Sequence, residues 1–455
     1  MNLNETIAAI ATPYGKGAIG IVRISGENSI KILKKIFFPI FKKEPEPGYY
    51  YGKIKDNDKI VDEVIAVVYR APKSFTGDDM VEINCHGGIL VTSEMLNLVI
   101  KNGARLAKRG EFSFRAFINK KIDLTQAEAI NDLINAKTSK AKDYALKNLF
   151  GNFSNYIVNI TNTLKDILVR LEVSIDHPEE DIEFINKREI ETRIKRELLR
   201  IDKLLSTAKK GCAFNYGVNV VIVGKANVGK SSLFNVLLNK DKAIVSHIPG
   251  TTRDVLEDWL DIDGIPVKLI DTAGLKDSVD AIEDAALRKT GEAIESSDII
   301  IAMFDYSDKL DKDDKRLIDV LKNIKNRVIF ILNKTDKSRG VDLDGLKMMV
   351  KKRVYQISVK EEKGITQVES AIKKIIYSQD NGEDNIVINN VRYETLLKEC
   401  RNYLYNVLEG IKNRMPEEII ATDIRRGLKS LEEITGVFST DDMLDAIFSN
   451  FCLGK

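Results

Sequence analysis

The sequence predicts a multidomain protein with three parts: an N-terminal α+β domain, an all-α helical domain that is discontinuous in sequence, and an inserted α/β domain of P-loop NTPase type. Three observations carry this. At 455 residues the chain is too long for one hydrophobic core. Its apolar period turns helical at about Leu124, alternates between strand and helix from about residue 216, and turns helical again after residue 380. Residues 219–238, NVVIVGKANVGKSSLFNVLL, join a short apolar strand, a glycine loop and a helix start.

Composition bounds the function. Lys and Arg total 70 against 68 Asp and Glu, a net charge of +2, so any RNA contact has to be a local patch. Cys85, Cys212, Cys400 and Cys452 are far apart and form no C-x-x-C pair, which argues against a disulfide framework or zinc site and for a reducing compartment. Residues 1–6 lack a signal-peptide pattern, and no apolar run approaches the roughly 18 residues of a membrane span. A soluble cytoplasmic protein without a membrane segment is expected.

Residues 1–118 mix strand-like runs with glycine turns. Strands are expected at 17–26, 64–69 and 80–85, and helices through Ile30, Leu33 and Ile36 and over 90–101. Cys85-His86 offers two metal-ligand types without a second pair, so a structural role is favoured. Over 119–215, Ala127, Ile130, Leu133, Ala141, Ala145 and Leu149 keep helical spacing, and so do Ile157, Ile160, Leu164, Ile167 and Leu171. His177-Pro178 breaks the pattern. The basic residues of 187–200 are interleaved with Glu189, Glu191 and Glu197, which favours a solvated helix face over an RNA contact. Residues 216–380 supply strands near 218–223, 267–270, 299–304, 328–332 and 354–357 with helices between, the pattern of a mainly parallel sheet. A polar linker at 379–385 leads to helical residues 381–455, which are expected to join the first helical block around the insertion.

The inserted domain carries the chemistry. Gly224-Lys225-Ala226-Asn227-Val228-Gly229-Lys230-Ser231 matches G-x-x-x-x-G-K-[ST], and Ser232 continues into a helix. Backbone N–H groups then turn inward around phosphate oxygens at the positive end of a helix. Lys230 reaches the β/γ-phosphates, and the Ser231 hydroxyl binds Mg²⁺. Gly250-Thr251-Thr252 supplies hydroxyls for a switch loop, and Asp271-Thr272-Ala273-Gly274 ends a strand beside the metal and γ-phosphate. Asn333-Lys334-Thr335-Asp336 follows another strand. The Asp336 carboxylate accepts from the ring N–H and exocyclic amine of guanine, a donor pair that adenine lacks. Ser358-Val359-Lys360 follows the last strand, where a backbone N–H meets the guanine oxygen. Five such elements in order point to GTP. Leu275 stands where many GTPases of this kind have a water-orienting glutamine, so either hydrolysis is slow or another group takes that role. Asn227 either offers an oxygen to a monovalent cation or only braces the loop.

Taken together, the chain resembles the MnmE (TrmE) family of tRNA-modification GTPases over essentially its whole length. The resemblance is carried by Ala11-Thr12-Pro13 with residues 20–26 (GIVRISG), residues 82–88 (EINCHGG), residues 121–129 (KIDLTQAEA), the GTPase motifs, Thr435-Gly436 and the closing Cys452-Leu453-Gly454-Lys455. It implies a Ras-like G domain at 216–380 and an N-terminal folate-binding and dimerisation domain at 1–118. Arg23, Glu82, Lys121 and Lys455 are the implied contacts of a reduced folate, 5-formyl- or 5,10-methylene-tetrahydrofolate. It also implies G domains that pair across the nucleotide with K⁺ held by Asn227, Ser246, Ile248 and Thr251. Mg²⁺ is held by Ser231 and Thr252, and Glu283 positions the water alongside Lys230. The implied GTP contacts extend through His247, Pro249, Leu275 and Lys276. Implied partners are a second copy of the chain, the flavoprotein MnmG and tRNA, modified at C5 of the wobble uridine.

The chain departs from the family pattern in several places. Ala226 stands where proline is common, Val359 replaces alanine, Lys276 replaces arginine, and Tyr393 stands where histidine is frequent. Cys452 suits a packing role as well as a chemical one. The alternatives, an Era-like ribosome-assembly GTPase and a dynamin-like membrane GTPase, need a basic RNA-binding domain or an amphipathic basic anchor that the sequence does not supply.

Overall fold

The computed structural model describes residues 3–176, 186–240, 257–271, 294–295, 297–322, 324, 327–376 and 386–455. The chain divides into two compact units. One contains residues 1–134, 147–184 and 416–455, and the other contains 135–146 and 185–415.

The first unit is built on strands β1 (Ile7–Ile10), β2 (Ile19–Ser25), β3 (Phe37–Phe38), β4 (Gly48–Asp56), β5 (Lys59–Tyr69), β6 (Met80–His86) and β7 (Arg105–Leu106). They form one sheet in the order β3-β4-β5-β6-β2-β1-β7, antiparallel except for the β1–β7 pair. Strand side chains alternate between faces. Val22, Ile24, Val81, Ile83, Ala66 and Val68 therefore pack on Ile30, Leu33 and Ile36 of the Ser29–Ile36 helix and Met95, Leu98 and Val99 of the Ile89–Lys101 helix. The opposite face carries the in-register row Ala9–Arg23–Glu82–Val67–Tyr49. Sequence reading found β2, part of β5 and β6. It missed β1, β4 and the helix Glu111–Ile118, which are short, aromatic-rich or only weakly periodic.

Cys85 is buried in this core with its thiol donating to Gly20 O at 3.3 Å, while His86 Nδ1 lies 2.8 Å from Asp62. Within the same unit the Asn152–Asp176 helix packs its Ile157, Ile160, Leu164, Ile167 and Leu171 stripe against the Glu417–Thr435 helix, which buries Ile420, Ile424, Leu428 and Leu431. Lys165–Glu432 (2.6 Å) and Glu172–Arg425 (2.7 Å) flank the seam. Phe448 and Phe451 close on Phe114 and Leu124, which anchors the carboxyl tail.

The second unit holds β8 (Val218–Val223), β9 (Glu257–Ile262), β10 (Ile265–Asp271), β11 (Ile299–Asp305), β12 (Val328–Asn333) and β13 (Val354–Gln356). Their order is β13-β12-β11-β8-β10-β9, all parallel except the edge strand β9. Val220 and Ile222 face one core and Val221 and Val223 the other, which is why β8 reads as an unbroken apolar run. The five sequence-predicted strands are all present. β9 was missed because acids interrupt its apolar pattern, and an Asp263-Gly264 turn with positive φ at both residues joins it to β10.

Here too a helix from before the insertion meets one from after it. Ile190, Ile194, Leu198 and Ile201 of the Lys187–Ser206 helix pack with Leu396, Leu397, Cys400 and Leu404 of the Val391–Lys412 helix. The basic run on the first of these is ion-paired, Lys195 to Glu191 (2.6 Å) and both Arg196 (3.0 Å) and Arg200 (2.8 Å) to the buried Glu197. The break at His177-Pro178 and the linker at 379–385 lie outside the described residues.

Candidate functional site

The glycine loop leaves β8 at the centre of the parallel sheet and enters the helix Lys230–Lys240. Two of its glycines are sterically required. A Cβ on Gly224 (φ +148°) would lie 2.4 Å from Met303 O, and one on Gly229 (φ +100°) would lie 2.3 Å from Asn333 Nδ2. Asn227 also has positive φ, +63°. Lys230 Nζ donates to Gly224 O (2.9 Å) and Lys225 O (2.7 Å), so the loop curls around the lysine head. Ser231 and Ser232 follow in the first turn of the helix, where its N–H groups and dipole favour an anion.

Asn333, at the end of β12, links this loop to the segments expected to read the base. Its Nδ2 donates to Val228 O at 2.8 Å, and its Oδ1 accepts from the Val359 N–H at 3.0 Å. Thr335 N–H donates to Ile357 O (3.2 Å), and Ser358 Oγ donates to Asp336 Oδ1 (2.8 Å), a bond that holds the exposed Asp336 carboxyl below its ordinary range. Lys334, at φ +72°, donates to Asp305 Oδ2 at 2.5 Å. Although burial pushes the Asp305 carboxyl up, the bonds from Lys334 and Ser307 outweigh it and hold it down. Residues 227–232, 333–336 and 358–360 are thus brought to one end of the sheet. Asp271 ends β10 in register with Ile222.

The remaining predicted residues, Ser246, His247, Ile248, Pro249, Gly250, Thr251, Thr252, Thr272, Ala273, Gly274, Leu275, Lys276 and Glu283, lie outside the described residues. Sequence reasoning missed Lys225, whose ammonium bonds Asp311 and Asp314 (2.7 Å to the latter) at the start of the helix Lys312–Lys322. The signal was there in Asp311-Lys312-Asp313-Asp314, an acidic helix start.

A second cluster sits on the face of the first unit's sheet opposite its helices. Arg23 and Glu82, neighbours across β2 and β6, form an ion pair in which Arg23 Nε and Nη2 both lie 2.8 Å from Glu82 Oε1. Arg23 also donates to Gly454 O at 3.1 Å, and its guanidinium lies over the rings of Phe75 (5.6 Å) and Phe112 (5.7 Å). Lys455 Nζ stands 5.7 Å from the Phe75 centroid. Burial, with the Arg23 charge nearby, holds its ammonium below the usual lysine range. Tyr69 donates to the second Glu82 oxygen at 3.3 Å. Burial and that carboxylate push its phenol up.

Three of the four predicted folate contacts therefore converge. Lys121 instead donates to Pro72 O (2.9 Å), in the loop that carries Phe75. The sequence reading missed Tyr69, Phe75 and Phe112. Two cations, a carboxylate and aromatic rings in one partly buried cluster suit a planar heteroaromatic ring that bears both donors and carboxylates.

Among the described residues no helix is long and apolar enough to cross a membrane. The family model for the GTP-binding protein TrmE N-terminus matches residues 6–121, and the model for the MnmE helical domain matches residues 124–452. The tRNA modification GTPase MnmE of Lactobacillus gasseri is 40% identical over 455 residues, covering 99% of this chain and 98% of that one. That of Thermoanaerobacter pseudethanolicus is 41% identical over 460 residues and 99% of each chain, and that of Alkaliphilus oremlandii is 40% identical over 463 residues and the whole of both. With its glycine loop, its Asn333–Asp336 segment and likeness along its entire length, the chain belongs to the MnmE family of tRNA modification GTPases.

Proposed function

We propose that this GTPase is stimulated by K⁺ and works with the flavoprotein MnmG to install an aminomethyl-type (carboxymethylaminomethyl) group at C5 of the wobble uridine of certain tRNAs. A reduced folate held by the first unit supplies the one-carbon group. Residues 1–118 form the folate-binding and dimerisation domain, 119–215 and 381–455 the two parts of the helical domain, and 216–380 the G domain. The protein acts in the cytoplasm as a homodimer assembled with MnmG.

In the G domain, residues 227–232 cradle the phosphates, Lys230 neutralises their charge, and Asp336 with the Val359 N–H selects guanine. Bound Mg²⁺, held by Ser231 and Thr252, offsets charge on the phosphate oxygens. Asn227 lends its side-chain oxygen to K⁺ together with Ser246, Ile248 and Thr251, and Glu283 orients the water that Leu275 cannot. Dimerisation through residues 1–118 is supported by the exposure of Tyr49, at the end of the Arg23 row, and of the neighbouring Tyr51–Ile65 pair on the same sheet face.

The observation that carries the modification reading is the cluster of Arg23, Glu82 and Lys455 with Phe75 and Phe112. Arg23 and Lys455 answer the carboxylates of a folate, Glu82 the donors of its pterin ring, and Lys121 completes the set. Equilibrium binding of tritiated 5-formyl-tetrahydrofolate to the full chain tests it. Wild type binds, and Arg23→Ala, which loses a charged hydrogen bond worth about 1.5–3 kcal/mol, binds at least tenfold more weakly. Equal binding by the two proteins, or none by wild type, overturns the assignment.

A further inference from the structure

The two aromatic rings beside the Arg23 guanidinium come from different elements. Phe112 starts the helix Glu111–Ile118 and is fully buried, whereas Phe75 is half-buried and belongs to the loop of residues 70–79 between β5 and β6. A loop makes no ladder of strand hydrogen bonds, so the position of its aromatic depends on what ties it down. The base of this one is closed by Asp79, which accepts from Arg70 and from the Ala71 N–H, both at 2.9 Å.

The tip is held by the helix that carries Phe112. Asn119, the capping residue at the end of that helix, donates from one Nδ2 to Thr76 O (2.7 Å) and to Asp78 Oδ1 (2.9 Å). The other Asp78 oxygen faces Nη1 of the buried Arg115, from the same helix, at 3.4 Å. Ser25 of β2 meets Thr76 in a buried hydroxyl pair at 2.7 Å. Inside the loop Ser74 Oγ donates to Asp78 O (2.5 Å) and the Asp78 N–H to Thr76 Oγ1 (3.3 Å). Phe75 therefore stands between two residues that are each bonded down. The approach is close: Gly77 has φ +83°, and a Cβ there would lie 2.9 Å from Asn119 Cβ.

We propose that Asn119 and Asp78 are positioning residues of the folate site, acting through Phe75. The bond between them fixes the distance from the Phe75 ring to Phe112, so both rings stand against Arg23 before a ligand arrives. The proposal rests on the Arg23 cluster's being the folate site. Packing alone sets the ring less well. Phe75 touches the buried group of Ile7, Ala9, Ala107 and Phe112 with part of its surface, and apolar contact has no direction. An amide with two acceptors fixes an angle as well as a distance. A ring held in place beforehand spares the ligand the cost of ordering it.

Two measurements on the full chain test this. In the first, para-fluorophenylalanine replaces Phe75 alone and its fluorine resonance is followed without ligand. Asn119→Ala should broaden that resonance and move it toward the unfolded-chain value, while the same label in place of Phe112 stays where it is. An unchanged resonance from the Phe75 label overturns the proposal whether or not folate binds. In the second, equilibrium binding of 5-formyl-tetrahydrofolate is compared among wild type, Asn119→Ala, Phe75→Ala and the double variant. Asn119→Ala should bind about tenfold more weakly, and the double variant no more weakly than Phe75→Ala. Losses that add, or wild-type affinity in Asn119→Ala, overturn it. Asn119→Asp has the same size but turns the donor into an acceptor. It should behave as Asn119→Ala does, and it carries both measurements if the alanine variant does not melt cooperatively. If wild type binds no folate while the Phe75 label still responds to Asn119→Ala, the bracket stands and the folate reading falls.

Discussion

Asn333 Nδ2 donates to Val228 O at 2.8 Å while Asn333 Oδ1 accepts from the Val359 N–H at 3.0 Å, so one buried amide holds the phosphate loop and the base-reading loop in register. Both bonds lie away from water, where an orphaned partner costs about 1–3 kcal/mol. Asn333→Ala therefore loses GTP affinity by at least tenfold and lowers the thermal midpoint. Asn333→Asp, which keeps the acceptor for Val359, loses less. Titration with a fluorescent GDP analogue and thermal melting check both. An Ala variant with full affinity would mean that the two loops are placed independently.

Base selection is a separate expectation. Asp336 accepts from Ser358 Oγ with one oxygen, which holds the carboxylate ionised and fixes its plane. Asp336→Asn turns an acceptor into a donor, so preference shifts from guanine to xanthine nucleotides. Competition between GTP and XTP for the full chain reads this directly, and undiminished GTP affinity would discredit the role.

The Lys225 ammonium lies between Asp311 and Asp314, which fastens the first residue after Gly224 to the helix Lys312–Lys322. Burial pulls its pKa down, and the two carboxylates outweigh that and raise it. Asp314 is nearly buried, so Lys225→Met leaves its carboxylate without a cation, at a cost on the order of 1–3 kcal/mol. The double variant Lys225→Met/Asp314→Asn should recover part of that loss in a denaturant melt. Additive losses would show that the pair is not coupled.

Lys137 places its ammonium over the ring of Trp259, the only tryptophan in the sequence. Burial, with the charge of Lys268 nearby, lowers the lysine to about 8. A folded-state value below the unfolded one of 10.5 means that folding is penalised at low pH. That penalty is complete below about pH 8 and fades as pH rises toward the ordinary lysine range. Tryptophan emission should therefore titrate with a midpoint near pH 8 and lose that transition in Lys137→Met. The same transition in both proteins would assign it elsewhere.

The two sites differ in how far the sequence reveals them. The glycine loop is a local motif, because its strand, turn and helix start are contiguous in 219–238, and the parallel sheet around it announces itself by buried apolar runs. The Arg23 pocket is not local. Its ion pair joins residues 59 apart, and the Arg23–Gly454 bond joins residues 431 apart. Only the strand register puts Arg23 and Glu82 side by side, so the residues alone read as scattered surface charges and the family resemblance had to point to them. Phe75, in a loop, and Phe112, at the start of the Glu111–Ile118 helix, were hidden for the same reason, since an aromatic looks like ordinary core until its neighbours are known. The edge strand β9 escaped because acids interrupt its apolar run, and the Asp263-Gly264 turn was the cue that would have found it.

Leu275 cannot orient water, and in the proposed mechanism a monovalent cation beside Asn227 and the carboxylate of Glu283 supply the missing assistance. The steady-state rate of GTP hydrolysis by the full chain in equal concentrations of KCl and NaCl tests this most directly. Turnover should be far faster in KCl, toward the roughly 10³-fold or greater effect expected of an added positive charge at the phosphates, and Asn227→Ala should lose that difference. Equal rates in the two salts would contradict it.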